Sequence, residues 1–418
     1  MKKFKIVTYG CQINVYESER FREAFLSSGF EEVENEEDAD IVLLNSCAVR
    51  GKSVLKLFSK LGYIRKLFRT QGHPAAIVTG CVATVKEKDI KRIGGKSVID
   101  VFSGIEPLSS RIEKIKKILS LKEKQNALME RKVFAYVPII YGCNNFCTYC
   151  IVPITKGRER SRTKEEILSE VKMLVKNGTK EIVLLGQNIN HYGRDIGYKN
   201  GFIEILEAVD KIEGLKRLRY LTPHPADFTV EILQRMRNLK TLCPHFHLPV
   251  QSGSNKILKL MKRGYTREEY LALIENVKRL FPEASITTDI IVGFPYETEN
   301  DYLETKSLVE YVQFDKIFAA AYSPRPNTAA SVMPNQVETQ EKKRRLNDLL
   351  SLANAISVKK NSSYIGKTVE VLIETVKKGE VFGRIPQDKL VITKKDASVG
   401  DIVEVTITDA DAFHLRGE

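Results

Sequence analysis

Three cysteines, each placed directly after a short apolar segment, constrain the fold more than any other feature of the sequence. Cys11 follows KIVTYG, Cys47 follows IVLLNS and Cys81 follows AAIVTG, at intervals of 36 and 34 residues. Apolar runs separated by amphipathic stretches are typical of parallel strands covered by helices on both faces. Because the carboxyl ends of parallel strands meet at one edge, we expect the three thiols to converge as a metal site. Buried structural cysteines are the alternative.

A second set of cysteines lies in the stretch YGCNNFCTYC, which places Cys143, Cys147 and Cys150 in the spacing C-x3-C-x2-C. Together with Cys243, predicted to be a buried structural cysteine, they bring the total to seven, an odd number that argues against a disulfide framework. A zinc site completed by a histidine or by Cys243 is one interpretation. The other is an iron–sulfur cluster in which three irons are held by thiolates and the fourth stays open.

The order of predicted elements divides the 418 residues into three parts. Residues 2–118 are expected to form the parallel α/β domain, with a charged helical linker from Arg111 to about Lys124. Residues 129–356 alternate apolar strands with helices and predict a partial (β/α)6 barrel whose chemistry lies at the carboxyl ends of the strands. Residues 357–418 carry four short strands, TVEVLIETV, VFGRI, KLVIT and DIVEVTIT, and predict a small β-barrel. The fold class is therefore α/β with a small β-barrel at the C-terminus. The predicted barrel strands are AYVPIIYG, EIVLLGQN, RLRYLTP, HFHLPVQS, SITTDIIVGFP and KIFAAAYS.

Charge and hydropathy restrict the class of partner. The net charge of +13 favours an anionic partner. No apolar stretch approaches the roughly 20 residues that span a membrane, and no apolar run follows a basic leader. We therefore expect a soluble cytoplasmic protein without a membrane partner.

One basic stretch is suited to nucleic-acid phosphates. The twenty residues from Arg50 to Arg69 contain seven Lys or Arg and no acidic residue. Apolar residues at helical spacing predict a helix with one packed face and one basic face, which either binds RNA phosphates or is merely solvated. The predicted packed face consists of Leu55, Phe58, Leu61 and Ile64. The candidate RNA-binding residues are Lys52, Lys56, Lys60, Arg65 and Lys66 here, and Lys156, Arg158, Arg160 and Arg162 after the second cysteine set.

The motifs taken together resemble a known family. A C-x3-C-x2-C loop after the first strand of a six-unit barrel resembles the radical S-adenosylmethionine (SAM) superfamily. The segments TYGCQIN, KGRERSR, LLGQN, HLPVQSGS, DIIVGFP and YSPRP further resemble the methylthiotransferases, most closely the MiaB type that acts on tRNA. The resemblance covers essentially the whole chain as an N-terminal methylthiotransferase domain, a radical SAM core and a C-terminal TRAM domain.

This resemblance implies a radical SAM enzyme that transfers a methylthio group and contains two 4Fe-4S clusters. It implies that an auxiliary cluster is held by Cys11, Cys47 and Cys81, and the SAM-binding cluster by Cys143, Cys147 and Cys150, with no catalytic residue beyond these ligands. Two SAM molecules are used per turnover: one methylates a sulfur at the auxiliary cluster, and the other yields the radical that abstracts hydrogen from C2 of an adenosine. In the MiaB type that base is N6-dimethylallyladenosine at tRNA position 37.

The same resemblance implies partners and further contacts. The partners would be a tRNA anticodon stem-loop and an electron donor of the flavodoxin or ferredoxin type, with the chain acting as a monomer. SAM contacts are expected from residues after barrel strands, although each of these could instead be a turn residue or a helix cap. They are Gln187, Asn188, Gln251, Ser252 and Gly293. In the TRAM domain, Phe382 and Arg384 are the RNA-binding candidates.

Two residues depart from the family pattern, and three other functions stay open. Tyr296 in FPYET and Asn327 in SPRPNT replace the usual glycines. Asparagine tolerates a left-handed backbone, whereas tyrosine does not favour it, so we expect the Tyr296 loop to differ. The alternative functions are the same reaction on N6-threonylcarbamoyladenosine (MtaB type), methylthiolation of a ribosomal-protein aspartate (RimO type), and a non-catalytic zinc RNA-binding protein.

Overall fold

The computed structural model describes residues 2–49, 51–120 and 132–418. These residues form two compact units. The first contains the described residues before 131 together with Tyr141–Asn144 and Cys150–Glu159, and the second contains the remaining described residues up to Glu418. The part of the predicted linker beyond residue 120 and the start of the predicted 129–356 domain lie outside the described residues.

The first unit is built on a parallel sheet covered by helices. Its strands are β1 (Lys3–Tyr9), β2 (Glu31–Glu32), β3 (Ile41–Ser46), β4 (Ala75–Gly80) and β5 (Val98–Ser103). Its helices before residue 120 are α1 (Gln12–Ser27), α2 (Gly51–Gln71), α3 (Cys81–Gly94) and α4 (Leu108–Ile118). The strand order is β2-β1-β3-β4-β5, with every pair parallel. Leu43 packs into an apolar cluster on one face and Leu44 into a cluster on the other, so the sheet is covered on both faces as predicted.

Two predictions about helices of this unit are wrong. Leu55 is not part of the packed face of α2, since it is 70% exposed whereas Leu57 is fully buried. The two residues are about 200° apart around a helix, so only one of them can face the sheet. The predicted linker helix is, over its described part, a core element: α4 buries Arg111 and packs Ile115 against the sheet.

Six parallel strands alternate with helices in the central part of the chain, as predicted. The elements in chain order are β6 (Phe134–Pro138), β7 (Ile140–Tyr141), α5 (Val152–Lys156), β8 (Arg160–Ser161), α6 (Lys164–Lys176), β9 (Glu181–Leu185), α7 (Gly201–Asp210), β10 (Arg217–Tyr220), α8 (Val230–Arg237), β11 (His245–His247), α9 (Asn255–Leu260), α10 (Arg267–Leu280), β12 (Ser285–Val292), α11 (Glu299–Val312), β13 (Lys316–Ala321) and α12 (Thr339–Ser362). Strands β6, β9 and β10 form one parallel sheet, and β11, β12 and β13 form another. A parallel bridge between Leu218 and Leu242 connects the first sheet to the segment before β11. The result is the partial (β/α)6 barrel expected from the sequence.

The C-terminal residues form a closed β-barrel, which confirms the predicted fold. Its strands are β14 (Thr368–Lys377), β15 (Glu380–Arg384), β16 (Leu390–Thr393), β17 (Ile402–Ala410) and β18 (His414–Gly417), in the order β14-β15-β16-β18-β17. Strand β18 was not predicted, because HLRG is short and has one apolar residue. That residue, Leu415, is fully buried in the barrel core.

The small barrel is fixed to the amino-terminal side of the central strands. Arg217 opens β10 and donates to the carbonyl oxygen of Arg384 at 2.6 Å. Arg219, in the same strand, donates to the carbonyl of Pro386 at 2.8 Å, and the Ser285 hydroxyl at the start of β12 donates to Gln387 O at 2.6 Å. These contacts lie at the ends of the central strands opposite to the carboxyl ends, where barrel chemistry is located. Among the described residues, no helix has the length and apolar character needed to cross a membrane.

Candidate iron–sulfur sites

Cys11, Cys47 and Cys81, hereafter the strand triplet, meet at one edge of the first sheet. Strands β1, β3 and β4 are neighbours in the sheet, and each of the three cysteines follows one of them. The backbone N–H of Cys47 donates to the carbonyl of Tyr9 at 2.8 Å, which aligns two of the strand ends. The Cys47 side chain is hydrogen-bonded to both Cys11 and Cys81. The structure therefore brings together the three thiols that the sequence pattern singled out.

The contacts among these thiols favour the thiolate at two positions. Hydrogen bonding with Cys47 lowers the pKa of Cys11 to about 6, with burial opposing and Lys156 assisting. The same partner lowers the pKa of Cys81 to about 7, again against burial. These two contacts raise the pKa of Cys47 itself. Thiolates are the form that binds iron, so this arrangement suits a cluster ligand set.

A buried asparagine pair links the start of α1, which follows β1, to the end of β3. The Asn14 side chain donates to Asn45 Oδ1 at 2.8 Å, and Asn45 Nδ2 donates to the carbonyl of Asn14 at 2.9 Å. Asn14 Oδ1 also accepts from the backbone N–H of Cys11 at 3.2 Å and lies 3.4 Å from its Sγ. A Cβ on Gly80, at φ +94°, would lie 2.5 Å from Asn45 Oδ1, and one on Gly10 would lie 2.2 Å from Asn14 Oδ1. These glycines therefore make room for the asparagines.

Three buried charged residues, Glu17, Arg111 and Lys156, lie near the strand triplet. The Glu17 carboxylate accepts from Arg111 Nη2 at 2.8 Å and from Lys156 Nζ at 2.8 Å, and all three side chains are at most 4% exposed. Arg111 also donates to Thr79 Oγ1 at 2.9 Å, two residues before Cys81. Burial raises the pKa of Glu17, but Arg111 and Lys156 outweigh it and lower the pKa to about 2. Two cations thus share one carboxylate, which leaves one positive charge to be balanced by an anion such as a thiolate-ligated cluster.

Cys143, Cys147 and Cys150, hereafter the loop triplet, lie in the segment between β7 and α5. Within the first unit, the backbone N–H of Cys143 donates to Gly157 O at 3.2 Å. The Glu159 carboxylate accepts from the backbone and side chain of Asn144 at 3.0 and 3.1 Å. Gly142 has φ +79°, and a Cβ there would lie 2.1 Å from the carbonyl oxygen of Arg158. Only glycine fits this position, directly before the first cysteine.

Cys147 belongs to the second unit and is 9% exposed. Its Sγ lies 3.5 Å from Nη1 of Arg263. The next residue, Thr148, donates from its backbone N–H to Met261 O at 3.1 Å and from its hydroxyl to Leu260 O at 2.9 Å. The middle of the loop is therefore attached to the segment between α9 and α10.

The candidate SAM contacts after β9 lie among buried polar atoms with unsatisfied hydrogen bonds. Asn188 is 1% exposed and Gln187 is half-buried. Asn188 Oδ1, Asn190 Nδ2 and His224 Nε2 have no hydrogen-bond partner in the described part of the chain. An unsatisfied buried polar atom costs about 1–3 kcal/mol, so these atoms are candidates for ligand contact. Asn190 and His224 were not identified from the sequence, because no motif marks them individually.

His224 is held neutral beside a charged cluster. Burial and the Arg263 guanidinium lower the pKa of His224 to about 3, with Asp227 opposing. The Asp227 carboxylate contacts His191 Nε2 at 3.1 Å and accepts from Arg194 Nη2 at 2.9 Å. A neutral imidazole with a free nitrogen can donate or accept one hydrogen bond, which suits recognition of a ligand.

The remaining SAM candidates have structural roles that the sequence did not reveal. Gln251 has φ +71°, and its backbone joins the end of the barrel to β12 through Asp289 O and Ile291 N–H, each at 2.9 Å. The Ser252 hydroxyl is 3.3 Å from that of Thr305. Gly293 donates its N–H to Glu297 Oε1 at 2.7 Å. None of these contacts tests binding of SAM, so this assignment stays a prediction.

The residues that depart from the family pattern both keep a positive φ. Asn327 has φ +65°, as asparagine tolerates, and Tyr296 has φ +68°. The expected difference at the Tyr296 loop is therefore not seen in its backbone conformation. The carbonyl of Tyr296 accepts from Lys256 Nζ at 2.9 Å, and its N–H donates to Asn335 O at 3.0 Å. These contacts compensate for the strain of a tyrosine at positive φ.

The RNA-binding candidates on α2 fall into two groups. Lys52, Lys56 and Lys66 are exposed. Lys60 pairs with Glu36 at 2.6 Å, and Arg65 donates to Ile93 O at 3.1 Å. The exposed lysines are therefore better placed to meet phosphates than the paired residues. A surface depression next to this face is lined by Tyr9, Glu36, Lys56, Ser59, Lys60 and Tyr63, and Tyr9 is two residues before Cys11.

The other basic candidates differ in how far they are already engaged. Arg158 is exposed and Arg160 is half-buried. Arg162 pairs with Glu170 at 2.7 Å and donates to Pro138 O at 2.9 Å, which are structural contacts. Arg384 is 3.4 Å from both Glu374 and Asp388, and Phe382 is half-buried.

Cys243 is buried in the second unit, as predicted, at 4% exposure. Burial raises the pKa of its thiol to about 12. His245 Nε2 and His247 Nδ1 each lie 3.0 Å from Thr287 Oγ1. The imidazoles near Cys243 thus have hydrogen-bond partners within the fold.

The residues fit the 4Fe-4S clusters that the resemblance implies. The strand triplet offers three thiols, with Cys47 hydrogen-bonded to the other two and a surplus buried cation nearby. The loop triplet offers a C-x3-C-x2-C set with a buried guanidinium against its middle sulfur. Over the described ranges, no three His, Cys, Asp or Glu side chains are arranged to hold a single metal ion. The supporting residues Asn14, Glu17 and Arg263 were missed from the sequence. Lys156 was predicted to contact RNA, and this prediction is wrong, because its side chain is 4% exposed and pairs with Glu17 at 2.8 Å.

Comparison with known proteins covers all three parts of the chain. Residues 137–309 match the radical SAM superfamily, residues 3–104 match uncharacterized protein family UPF0004, and residues 362–418 match the TRAM domain. Among solved structures, the radical SAM methyltransferase TsrM from Kitasatospora setae has a TM-score of 0.58 at 12% identity, over 79% of this chain and 77% of its own. The cobalamin-dependent radical enzyme OxsB has a TM-score of 0.52 at 14% identity, over 84% and 56%. These two likenesses show the fold.

Curated relatives extend over the full length. A tRNA-2-methylthio-N(6)-dimethylallyladenosine synthase of Moorella thermoacetica is 44% identical over 100% of this chain and 98% of its own. The protein of the same name from Pelotomaculum thermopropionicum is 42% identical over 100% and 97%. With its radical SAM core, UPF0004 domain and TRAM barrel, this chain belongs to the radical SAM tRNA-2-methylthio-N(6)-dimethylallyladenosine synthase family.

Proposed function

We propose that this chain adds a methylthio group to C2 of N6-dimethylallyladenosine at position 37 of tRNA, giving 2-methylthio-N6-dimethylallyladenosine. The relatives that bear the corresponding name match it over the full length. The observation that carries the proposal is the contact of Cys47 with Cys11 and Cys81 at adjacent strand ends. A radical SAM core needs only the loop triplet, so a second set of three thiols in the same chain supports a reaction that also supplies sulfur.

The two triplets would divide the chemistry. When bound, the cluster at Cys143, Cys147 and Cys150 would deliver an electron to SAM, and the one at the strand triplet would present the sulfur, with two SAM molecules used per turnover. The chain's own residues would hold and orient these groups. The buried Glu17, Arg111 and Lys156 balance charge beside the strand triplet. The unsatisfied Asn188 and His224 atoms support a polar ligand at the barrel strand ends.

Partners follow from the same proposal. The TRAM match and the exposed lysines of α2 support a tRNA anticodon stem-loop as the substrate. The chemistry requires an external one-electron donor, which we propose is of the flavodoxin or ferredoxin type. We further propose that the enzyme acts as a monomer in the cytoplasm, where tRNA is modified.

Other reactions in the same family predict different products. An MtaB-type enzyme would modify N6-threonylcarbamoyladenosine, and a RimO-type enzyme would modify a ribosomal protein. The names of the full-length relatives favour the dimethylallyl substrate.

The test is nucleoside mass spectrometry of tRNA from a strain that lacks its own methylthiotransferase and expresses this chain. We expect 2-methylthio-N6-dimethylallyladenosine to be restored by the parent chain and by Cys243→Ala, the matched control for loss of a buried cysteine. Cys47→Ala and Cys147→Ala should restore none. Appearance of the threonylcarbamoyl product instead would contradict the choice of substrate, and an unchanged tRNA profile with the parent would contradict action on tRNA.

Cofactor content is measured on the same proteins after anaerobic purification. The parent should contain about eight irons, and each of the two cysteine variants about four. About four irons in the parent would remove the auxiliary cluster from the proposal. Colourless protein with stoichiometric zinc would favour the non-catalytic alternative.

A further inference from the structure

Arg263 is a buried arginine next to a cysteine of the loop triplet. It lies between α9 and α10 and is 6% exposed. Its Nε donates to Tyr265 Oη at 3.0 Å and its Nη2 to Pro249 O at 2.8 Å. Its Nη1 lies 3.4 Å from Tyr149 Oη and 3.5 Å from Cys147 Sγ. The guanidinium therefore directs one N–H edge toward sulfur.

Arg263 differs from other buried arginines in what balances its charge. Arg111 pairs with Glu17, Arg219 with Glu181 and Arg345 with Glu297, each at 2.8–2.9 Å. Over the described residues, the hydrogen bonds of Arg263 go to hydroxyls, a carbonyl and a thiol, with no carboxylate among them. A buried charge without a counterion is strongly destabilising, so a full negative charge is expected next to this side chain. The Cys147 sulfur is the contacting atom that can carry one.

The geometry of Arg263 is fixed from several sides. The Tyr265 hydroxyl accepts from Arg263 and lies 2.9 Å from the carbonyl of Val250, to which it can donate. The guanidinium carbon lies 5.4 Å from the Tyr265 ring centroid. The backbone N–H of Arg263 donates to Leu258 O at 3.0 Å. A planar fork held at two edges keeps its remaining N–H groups in one direction, which a lysine cannot do.

We propose that Arg263 is a positioning residue whose guanidinium holds the Cys147 thiolate and acts as the internal counter-charge of the cluster bound there. This inference rests on the proposed function, which assigns Cys147 to the SAM-binding cluster. An N–H···S hydrogen bond and a buried cation both stabilise the form of a cluster that carries more negative charge. Arg263 thus raises the reduction potential of this cluster and makes the electron needed for SAM cleavage easier to accept.

The experiment is a potentiometric titration, followed by electron paramagnetic resonance, of the reduced cluster in the full-length chain. Cys11, Cys47 and Cys81 are replaced by alanine throughout, so that only the loop-triplet cluster contributes. Arg263→Met removes the charge and the N–H donors at similar volume. We expect its ratio of reduced to oxidised cluster at a fixed potential to fall at least about tenfold, which for one electron is a shift of about −59 mV. Arg263→Lys, which keeps the charge but loses the fork, should shift in the same direction by less.

Arg267→Met is the matched control. Arg267 lies four residues further along, is half-buried, and donates to the carbonyls of Gly253 and Glu304 rather than to sulfur. Its loss removes the same charge and should leave the potential unchanged. A purely structural role for Arg263 would lower cluster content without moving the potential of the clusters that remain.

The outcomes separate this inference from the proposed function. If Arg263→Met binds iron and its potential equals that of the parent, the inference is overturned while the proposed function stands. If Arg263→Met does not retain iron, Arg263→Lys decides: a lower potential supports the inference and an unchanged one overturns it. A parent chain in which no cluster forms at the loop triplet would contradict the proposed function itself.

Discussion

The strand triplet and the loop triplet each consist of three cysteines, but the fold assembles the two sets by different means. Cys11, Cys47 and Cys81 come from three strands and meet because β1, β3 and β4 are neighbours. The loop triplet lies within eight residues, where local spacing sets the separation of its cysteines. Each set has buried cationic support, from Lys156 at the strand triplet and from Arg263 at Cys147.

This difference indicates what each set depends on. The strand triplet requires the sheet register and the side chains that hold strand ends together. The loop triplet requires a few backbone conformations, such as the positive φ of Gly142 and Phe146. Substitutions in the core of the first unit should therefore disturb the strand triplet first. Substitutions that alter the loop backbone should disturb the loop triplet first.

The largest expected effect comes from removing one cysteine of each triplet. Cys147→Ala should reduce SAM cleavage more than about 100-fold, since loss of a supporting contact alone costs 10–100-fold in many metal sites. Cys47→Ala should keep uncoupled SAM cleavage and give no methylthio product. The measurement is 5′-deoxyadenosine and modified nucleoside formed under reducing conditions. Equal loss of both activities in the two variants would show that the triplets do not have separate roles.

The next largest effect is expected at Glu17, whose carboxylate balances two buried cations. Glu17→Gln keeps the shape and removes the charge, which leaves Arg111 and Lys156 without an anion. We expect the free energy of unfolding to fall by about 3–5 kcal/mol, measured by urea denaturation followed by circular dichroism. Glu207→Gln is the control, because its partner Arg235 and Glu207 itself are about 30% exposed and such pairs contribute less than about 1 kcal/mol. Similar losses in both variants would contradict a special role for the buried carboxylate.

The same carboxylate predicts a pH dependence. The pKa of Glu17 is about 2 in the folded protein and 4.5 in its ordinary state, so the unfolded chain binds the proton more tightly. Its contribution, about 3 kcal/mol, is fully present above pH 4.5 and is lost as the pH falls toward 2. The stability difference between parent and Glu17→Gln should therefore be constant from pH 5 to 8 and shrink below pH 4.5. A difference that grows on acidification would contradict this assignment.

Smaller effects are expected from the glycines that precede the two triplets. Gly80→Ala and Gly142→Ala each place a Cβ at positive φ and against a fixed oxygen atom, 2.5 Å and 2.1 Å away. We expect each to cost about 1–3 kcal/mol and to lower the iron bound at its own triplet. Gly72→Ala is the control, since Gly72 has φ +78° with nothing within 4 Å of an added Cβ. Only Gly142→Ala should reduce SAM cleavage. A similar reduction by Gly80→Ala would contradict separate roles for the two triplets.

The positions of the cysteines were predictable because strand ends and the spacing of cysteines in a loop depend on short stretches of sequence. The alternating apolar segments likewise predicted the parallel sheet, the six barrel strands and four of the five strands of the small barrel. The supporting contacts were not predictable. Glu17, Arg111 and Lys156 are far apart in the chain. Charged residues are mostly exposed in proteins, so the sequence alone predicts that these three lie on the surface.

Helix faces and special backbone conformations were harder to predict. Leu55 and Leu57 both fit an apolar pattern in α2, and only packing against the sheet shows that Leu57 is inside. Tyr296 keeps a positive φ that its residue type disfavours, because contacts from Lys256 and Asn335 stabilise the loop. In both cases, tertiary contacts outweigh local preference.

The smallest expected effect is at Asn14, and it tests how far the strand triplet depends on neighbouring strands. Asn14→Ala removes the donor to Asn45 Oδ1 and the acceptor for the Cys11 backbone N–H. The buried Asn45 and the half-buried Cys11 each lose a partner, which should cost about 1–3 kcal/mol in unfolding free energy. We also expect iron at the strand triplet to be lost more rapidly to a chelator, whereas SAM cleavage at the loop triplet stays at the parent level.

The half-buried Asn276, which donates to Ala272 O within α10, provides the control, and Asn276→Ala should change neither quantity. If Asn14→Ala releases iron at the parent rate, the cysteines alone determine retention, and the strand triplet is as locally determined as the loop triplet. If Asn14→Ala releases iron faster from the strand triplet alone, the hydrogen bonds of Asn14 help to retain iron there. A cluster site assembled from three strands then depends on side chains that never touch the metal, because these side chains keep the ligands in register.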